Sequence, residues 1–447
     1  MTTPNNNLIP VEKLNTSAQH ILDLAKKQGA TSAEVAISNN IGVSIQVRLG
    51  EVETLEHHRD QGVGITVYFG HKKGSASLSA LDEPALAEAV SAACHIAKYT
   101  AEDSCAGLAD QNMMAFNYPD LKLYYPWQHS IEESITLLKD IEAKGLAYDK
   151  RITLSEGANL STHENHILYA NSHGFCGHYP SSFYNLSCTL IAGEGDTMQR
   201  DYGYSVTRDP SQLATAKQIA EEAAKRTVNR LGGKRLTTRK TPVIFLNSVA
   251  TGLISHFLAA IRGSNLYRKS SFLLDSLGKA VFPSHITIEE KPSIIKGLGS
   301  SPFDGEGVKT HERALVEQGI LKSYLLNTYT ARKLGMTTTG NAGGVHNIIV
   351  STESFGLDTL LQTMGTGLLV TELMGQGINL ITGDYSRGAS GFWVEGGKIQ
   401  YPVEEITIAG NLKTMFENIV SISNDIEMRS AIQTGSILIN ELMLAGE

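Results

Sequence analysis

The second half of the chain is a series of short apolar segments separated by glycines, and this pattern restricts the fold more than any other feature. Short apolar runs bounded by turn residues predict β-strands. The predicted strands are segments 286–289, 320–327, 348–351, 367–373, 399–401 and 405–409, with one further strand at 242–246. Many short strands with glycine turns and few helices indicate a β-barrel or a sandwich. A last helical stretch is predicted near 411–420.

The first half alternates between helical and strand periodicity. Helical spacing covers 11–28, 82–99, 130–146 and 210–231, and strand patterns cover 34–38, 43–49, 54–59, 64–69 and parts of 152–207. A linker is predicted at 117–127, after which the order of helix, strands and helix repeats. The glycine pair and basic run of LGGKRLTTRK (231–240) indicate a domain boundary. We therefore predict an α+β protein: an N-terminal helix and antiparallel-sheet region over 1–231, its repeated order that of two helix–strands–helix units, and a C-terminal β-rich domain over 232–447.

Composition excludes several classes of protein. A chain of 447 residues with 41% hydrophobic and 19% charged residues can bury a sizeable core and is not disordered. Its net charge of −8 argues against nucleic acid as the main ligand. No segment approaches the roughly 18 consecutive apolar residues of a membrane helix, and the first residues lack the pattern of a signal peptide. We predict a cytoplasmic protein that does not bind membranes.

The cysteines and clustered histidines predict no metal site. Neither a disulfide scaffold nor a four-cysteine zinc site is expected, because no CxxC pair occurs and four cysteines are few for this length, so buried free thiols are favoured. They are Cys94, Cys105, Cys176 and Cys188. Histidines cluster in THENH (162–166) and HGFCGH (173–178). Strand alternation would divide them between two faces, which favours surface or turn histidines over zinc ligands.

A helix predicted to start near Asn247 or Ser248 is the most informative segment. Its sequence TGLISHFLAAIRG (251–263) carries His256 in an apolar run. A zinc hydrolase helix needs two histidines and a glutamate that activates the bound water. This helix has one histidine and no glutamate, which favours a packing role for His256. The segment GDYSRGASG (383–391) contains no GxSxG nucleophile elbow.

Long segments of the second half resemble the TldD/PmbA family of peptide-maturation proteases, in its PmbA (TldE) branch. The resemblance rests on GSNLYRKSSFLLDSLG (263–278), SSPFDGEGVKT (300–310), LVEQGILKSYLLNTYTARKLGMTTTGNAGG (315–344) and TELMGQGINLITGDYSRGASGFWVEGGKIQYPVEEITIAGNL (371–412). In the first half, QGVGITVYFGHKKGSAS (61–77) is also similar. This resemblance implies a C-terminal domain of the barrel type.

The resemblance also implies how zinc chemistry is divided between subunits. The catalytic TldD subunit of the family carries an HExxxH helix and a late cysteine ligand. In this chain the first histidine position is Thr251, the glutamate position is Gly252 and only the second histidine, His256, is kept. No cysteine follows Cys188. The implied roles are therefore no catalytic residue and no metal in this chain, with zinc in a TldD-like partner.

The implied function is that of a non-catalytic subunit of a two-component metalloprotease. A heterodimer with a TldD-like chain would enclose a chamber in which unfolded or leader-bearing peptides bind as an added strand. The predicted peptide-facing region comprises Gly305, Asp384, Tyr385, Ser386 and Arg387, although these glycine-rich segments fit ordinary turns equally well. Two alternatives stay open: a metallopeptidase active on its own, and a homodimeric peptide-binding protein. Whether the chain is itself an enzyme is thus undecided by its sequence.

Overall fold

The computed structural model describes residues 8–446, and the N-terminal part forms one six-stranded antiparallel sheet. Its strands are β1 (Ser32–Arg48), β2 (Glu51–Phe69), β3 (Lys72–Leu78), β4 (Ile152–Asn171), β5 (Cys176–Ala192) and β6 (Gln199–Thr207). They are arranged in the order β3-β2-β1-β4-β5-β6. Four helices accompany them: α1 (Val11–Lys27), α2 (Glu83–Tyr99), α3 (Ile131–Leu146) and α4 (Ala216–Asn229). The chain thus runs helix, three strands, helix twice, and the two units meet where β1 pairs with β4.

Local signals place the helix ends. Ser130 caps α3 in a capping box with Glu133, and Thr215 caps α4 in the same way with Gln218. Each box satisfies backbone N–H groups that would otherwise lack a partner in the first turn. The residues 210–212, predicted as part of the last N-terminal helix, instead form a separate 3₁₀ turn.

Strands β1 and β2 are continuous, whereas the sequence predicted each as two short strands. Pairing runs through the polar middle, where Asn39 lies opposite Gln61 and Gly42 opposite His58. The helices cover the two ends of β1 on one face: Val35 packs with the α1–α2 core and Ile45 with the α3–α4 core. Backbone pairing needs no apolar side chain. The apolar sequence pattern therefore predicted strand where helices cover the sheet, and did not predict it in the uncovered polar middle.

The C-terminal part contains a closed five-stranded β-barrel, which confirms the predicted fold class. The described residues of the C-terminal part form these strands, in chain order and in two sheets: β7 (Arg239–Phe245), β8 (Ile288–Lys291), β9 (Arg313–Glu317), β10 (Ile320–Leu321), β11 (Asn347–Val350), β12 (Gly367–Met374), β13 (Asp384–Glu395), β14 (Lys398–Asn411), β15 (Ile419–Ile422), β16 (Ile432–Gln433) and β17 (Ile437–Ala445). The barrel order is β14-β13-β12-β7-β17, and pairing of Ala409 with Met443 joins β17 back to β14. A second sheet has the order β10-β9-β8-β11-β16.

Five helices pack on these sheets. They are α5 (Asn247–Ala260), α6 (Gly263–Tyr267), α7 (Thr328–Lys333), α8 (Leu357–Met364) and α9 (Leu412–Glu417). The apolar side of α5 shares one core with Val243 and Phe245 of β7, whereas Ile244 between them packs with α8. Alternate side chains of a barrel strand therefore face two different cores, and α5 is held against the first. Within residues 8–446, no helix has the length and apolar character needed to cross a bilayer.

Side chains and one extended segment join the N-terminal and C-terminal parts. Arg208 donates to the carbonyl oxygens of Gly297 and Leu298 at 2.9 and 2.7 Å. The predicted linker over 117–127 has no helix or strand, yet Leu121 is buried and its carbonyl oxygen accepts from the N–H of Lys296 in the C-terminal part at 3.0 Å. The segment is thus a packed connection rather than a free linker.

We expect all four cysteines to titrate as free thiols. Cys94 and Cys188 are buried, as predicted, but Cys176 is exposed. Burial raises the pKa of Cys188 to about 12, so its thiolate is scarce at neutral pH. A thiol reagent should therefore react with Cys176 before Cys94 and Cys188 in the native protein, and with four thiols after denaturation without reductant. A count below four in the denatured protein would reveal a disulfide.

Candidate functional site

Helix α5 has an apolar side in the barrel core and a polar side next to His256, whose ring contacts Tyr385 of β13. Leu253, Ile254 and Phe257 are buried in the core. Helical spacing places Ser248, Thr251 and Ser255 on the other side, with His256 beside them. The helix begins with Asn247 as its first residue, and the Asn247 amide donates to the carbonyl oxygen of Asp425 at 2.6 Å.

Two hydroxyls on the polar side of α5 donate to carbonyl oxygens of the same helix. The Thr251 hydroxyl donates to the carbonyl oxygen of Ser248 at 2.9 Å, and the Ser255 hydroxyl donates to that of Gly252 at 2.8 Å. The position that a Gly252 side chain would occupy has no heavy atom within 4 Å. At the positions where the resemblance places a histidine and a glutamate, this chain therefore has an internally bonded hydroxyl and open space.

His256 lies against two side chains of the barrel strand β13. Its ring and that of Tyr385 are edge to face, with centroids 6.2 Å apart. Burial lowers the pKa of His256 below its usual range, and the positive charge of Arg387 lowers it further. The imidazole is therefore neutral at pH 7.

Arg387 is a half-buried cation with few partners. It donates to the Leu373 carbonyl oxygen at 3.4 Å, and its positive charge lowers the pKa of the Tyr385 hydroxyl. Its Nε is buried without a hydrogen-bond partner, and no Asp or Glu within residues 8–446 forms an ion pair with it. Ser248 also has a buried hydroxyl without a partner. The sequence analysis did not identify Ser248 as a candidate site residue. The Ser/Thr spacing on α5 could have placed it on the same side of the helix as Thr251 and Ser255.

These residues do not fit a zinc ion. Zinc in proteins takes three or four nitrogen, sulfur or oxygen donors, and His256 is the one imidazole here. The guanidinium of Arg387 beside it would repel a divalent cation. Burial raises the pKa of Tyr385 to about 12, so its hydroxyl is protonated and not an anionic ligand. Across residues 8–446, no three His, Cys, Asp or Glu side chains are grouped so that they could hold a metal.

Strand alternation divides the predicted peptide-facing residues. Tyr385 and Arg387 face His256, whereas Asp384 and Ser386 are exposed. The Asp384 carboxylate accepts from the Thr382 hydroxyl at 2.6 Å. The Ser386 N–H donates to the Gly377 carbonyl oxygen at 2.7 Å, so its backbone already pairs with this chain. The structure therefore groups Tyr385 and Arg387 with His256, and separates Asp384 and Ser386 from them.

Gly305 lies in a different environment, on an exposed turn between buried Asp304 and half-buried Glu306. Its N–H donates to the Ala342 carbonyl oxygen at 2.9 Å. Asp304 accepts from the N–H groups of Glu306, Val308 and Ala342. Burial raises the pKa of Asp304 and of Glu306, and their mutual repulsion raises that of Glu306 further. The contacts of Gly305 thus belong to the 340s loop and not to α5.

The histidine clusters are divided as alternation predicted. His163 on β4 stacks on His58 at 5.7 Å between centroids. His166 faces His178 instead, also at 5.7 Å. Burial lowers the pKa of both His166 and His178.

Comparison with known proteins gives matches along nearly the whole chain. Three PmbA/TldA metallopeptidase domain models match it: domain 1 over residues 33–97, the central domain over 124–231 and the C-terminal domain over 238–446. Metalloprotease PmbA of Escherichia coli O157:H7 is 50% identical over 434 residues, covering 97% of this chain and 96% of the relative. The PmbA homolog of Haemophilus influenzae is 50% identical over 436 residues, with the same coverage.

Solved structures share the fold. A crystal structure from Bacteroides thetaiotaomicron superposes with a TM-score of 0.91 at 29% identity, covering 97% of this chain and 99% of that chain. TldE from Thermococcus kodakarensis superposes with a TM-score of 0.81 at 20% identity, covering 96% of this chain and 100% of that chain.

Proposed function

The chain belongs to the PmbA branch of the PmbA/TldD metallopeptidase family, and from that premise we propose that it is the non-catalytic subunit of a two-component zinc protease. Its partner would be a TldD-like chain that holds the zinc. The substrates would be unfolded or leader-bearing peptides, and the place of action the cytoplasm.

The observation that carries this proposal is the guanidinium beside His256. A general base and at least two further ligands are needed for a zinc-activated water. Here Thr251 bonds its own helix, Gly252 has no side chain, and the charge that acts on His256 is the positive one of Arg387. The chain keeps the family fold but has these residues on α5. This combination supports a role in enclosing the chamber and positioning the peptide, and such a role needs no catalytic group.

The proposed contribution of this chain is geometric. A partner subunit can close a chamber that excludes folded proteins and can hold an extended peptide by main-chain hydrogen bonds at a sheet edge. Holding a peptide in line with the partner's metal lowers the barrier by orientation alone. In this proposal the chain supplies binding and orientation, and the partner supplies zinc chemistry.

We expect the purified chain to hold no stoichiometric zinc. Elemental analysis after dialysis should find far less than one zinc per chain, and His256→Ala should change stability alone, by about 1–3 kcal/mol. His285→Ala, at an exposed histidine, is the matched control and should leave both quantities unchanged. A content of about one zinc per chain that is lost in His256→Ala would contradict the proposal and favour a metallopeptidase active on its own.

The partner is tested by purification from the native host. Mass spectrometry should identify a co-purifying chain with an HExxxH helix, and light scattering should give the mass of one copy of each. A stable assembly of this chain alone, with no such partner, would favour the homodimeric peptide-binding protein instead.

A further inference from the structure

We propose that Arg387 binds a carboxylate group of the peptide, either its C-terminal carboxylate or an acidic side chain. This inference deepens the proposed function and rests on it. The site is the guanidinium of Arg387 on β13, on the face of the strand whose Tyr385 ring contacts His256 of α5.

The first support is that no acidic side chain within residues 8–446 pairs with the positive charge of Arg387. Partly buried arginines are normally paired, since an unpaired buried charge is strongly destabilising. Elsewhere in this chain, Arg313 pairs with Glu290, Arg429 pairs with Glu222 and Glu427, and Arg208 donates to three carbonyl oxygens. Arg387 has one long bond to a carbonyl oxygen and a buried Nε without a partner. Its bonding capacity is thus left open within the described residues.

The second support is position. Tyr385, two residues earlier on the same face of β13, is 2% exposed, and the positive charge of Arg387 lowers the pKa of its hydroxyl. The buried Tyr385 ring therefore lies between the barrel core and the guanidinium's face of the strand. On α5, a Cβ at Gly252, one turn before His256, would meet no heavy atom within 4 Å, and neutral His256 adds no competing charge. A guanidinium without an acidic partner that faces a neutral imidazole is suited to an anion.

The third support is chemical fit. A guanidinium presents parallel N–H donors that match the two oxygens of a carboxylate, and such charge-assisted pairs are stronger than neutral hydrogen bonds. A peptide offers this group at its C-terminus or at Asp and Glu side chains. Binding here would fix the peptide's register, which main-chain pairing at a sheet edge leaves undetermined.

The experiment measures binding, so it does not depend on protease activity. Three fluorescent versions of one unstructured peptide are titrated into the full chain and followed by anisotropy: a free C-terminal carboxylate without acidic residues, its amide, and an amide with one internal Glu. We expect one of the carboxylate peptides to bind about tenfold more tightly than the neutral amide. Whichever does so identifies the source of the carboxylate.

Arg387→Gln should abolish that preference, and Arg387→Lys should keep part of it. Arg262→Gln, at an exposed arginine just after α5, is the matched control and should leave the preference unchanged. Thermal melting establishes that each variant folds, and Arg387→Lys serves if the Gln variant does not. Equal binding of all three peptides, or a preference that persists in Arg387→Gln, would overturn this inference alone. Failure of every peptide to bind, both to the chain and to its complex with a catalytic partner, would overturn the proposed function with it.

Discussion

Mixing this chain with a TldD-like catalytic chain is expected to produce peptidase activity that neither chain has alone. An unstructured peptide is the substrate, and the gain should be about 100-fold or more, because a zinc ion contributes several kcal/mol to hydrolysis only when the peptide is held in line with it. The release of peptide fragments, followed by mass spectrometry, measures the activity.

Matched variants assign the chemistry to one subunit. Thr251→Ala in this chain removes the hydroxyl at the position of the first family histidine. It should leave the activity of the mixture within about twofold, since that hydroxyl bonds its own helix. Replacing the corresponding histidine of the partner should abolish the activity. Chelator-sensitive cleavage by this chain alone would show instead that it is the enzyme.

Glu290→Ala is expected to destabilise the protein by about 3–5 kcal/mol, the range for breaking a buried ion pair. Glu290 is 1% exposed, and its carboxylate accepts from Arg313 at 2.6 Å and from Asn341 at 2.8 Å. It also accepts from the backbone N–H and the ring Nδ1 of His346, at 2.9 and 3.0 Å. Removing the carboxylate leaves the buried Arg313 without its counter-ion. Denaturant unfolding measures the loss, and a value below about 1 kcal/mol would show that these groups find other partners.

The matched control for this prediction is its neighbour Glu289. The Glu289 side chain is 44% exposed and pairs with Lys291 at 3.0 Å. Exposed pairs contribute about 0–1 kcal/mol, so Glu289→Ala should have a small effect on the free energy of unfolding. The comparison separates loss of a buried network from loss of a glutamate.

The same carboxylate predicts a dependence of stability on pH. Burial alone would raise the pKa of Glu290, but the hydrogen bond from His346 and the charge of Arg313 outweigh burial and hold the pKa below its usual range. A carboxylate with a lowered folded-state pKa stabilises the fold above its unfolded pKa of about 4.3. That contribution is lost as pH falls through the folded pKa. Glu290→Gln should reduce the loss of stability at acid pH, as measured by the free energy of unfolding. An unchanged pH dependence would assign that loss to other titratable groups.

The sequence by itself determined much of the local structure and the fold class. It predicted the first helix at 11–28, which is α1 (Val11–Lys27), and the third at 130–146, which is α3 (Ile131–Leu146). These ends follow from periodicity and from caps such as Ser130, which act between residues a few positions apart. The barrel type and the family followed from long similar segments in the second half. Such signals lie along the chain, so they need no knowledge of the tertiary structure.

Only the tertiary structure decided which distant residues meet. Closure of the barrel depends on Ala409 lying opposite Met443, and the length of β1 depends on pairing across polar residues. The sequence placed Tyr385 and Arg387 in one predicted region with Gly305, whereas the fold places them against His256. The register of a strand decides which alternate side chains face which neighbour, and register is decided by packing of the whole barrel. The lack of an acidic partner for Arg387 among the described residues is therefore decided by the tertiary structure and could not be deduced from the order of residues along the chain.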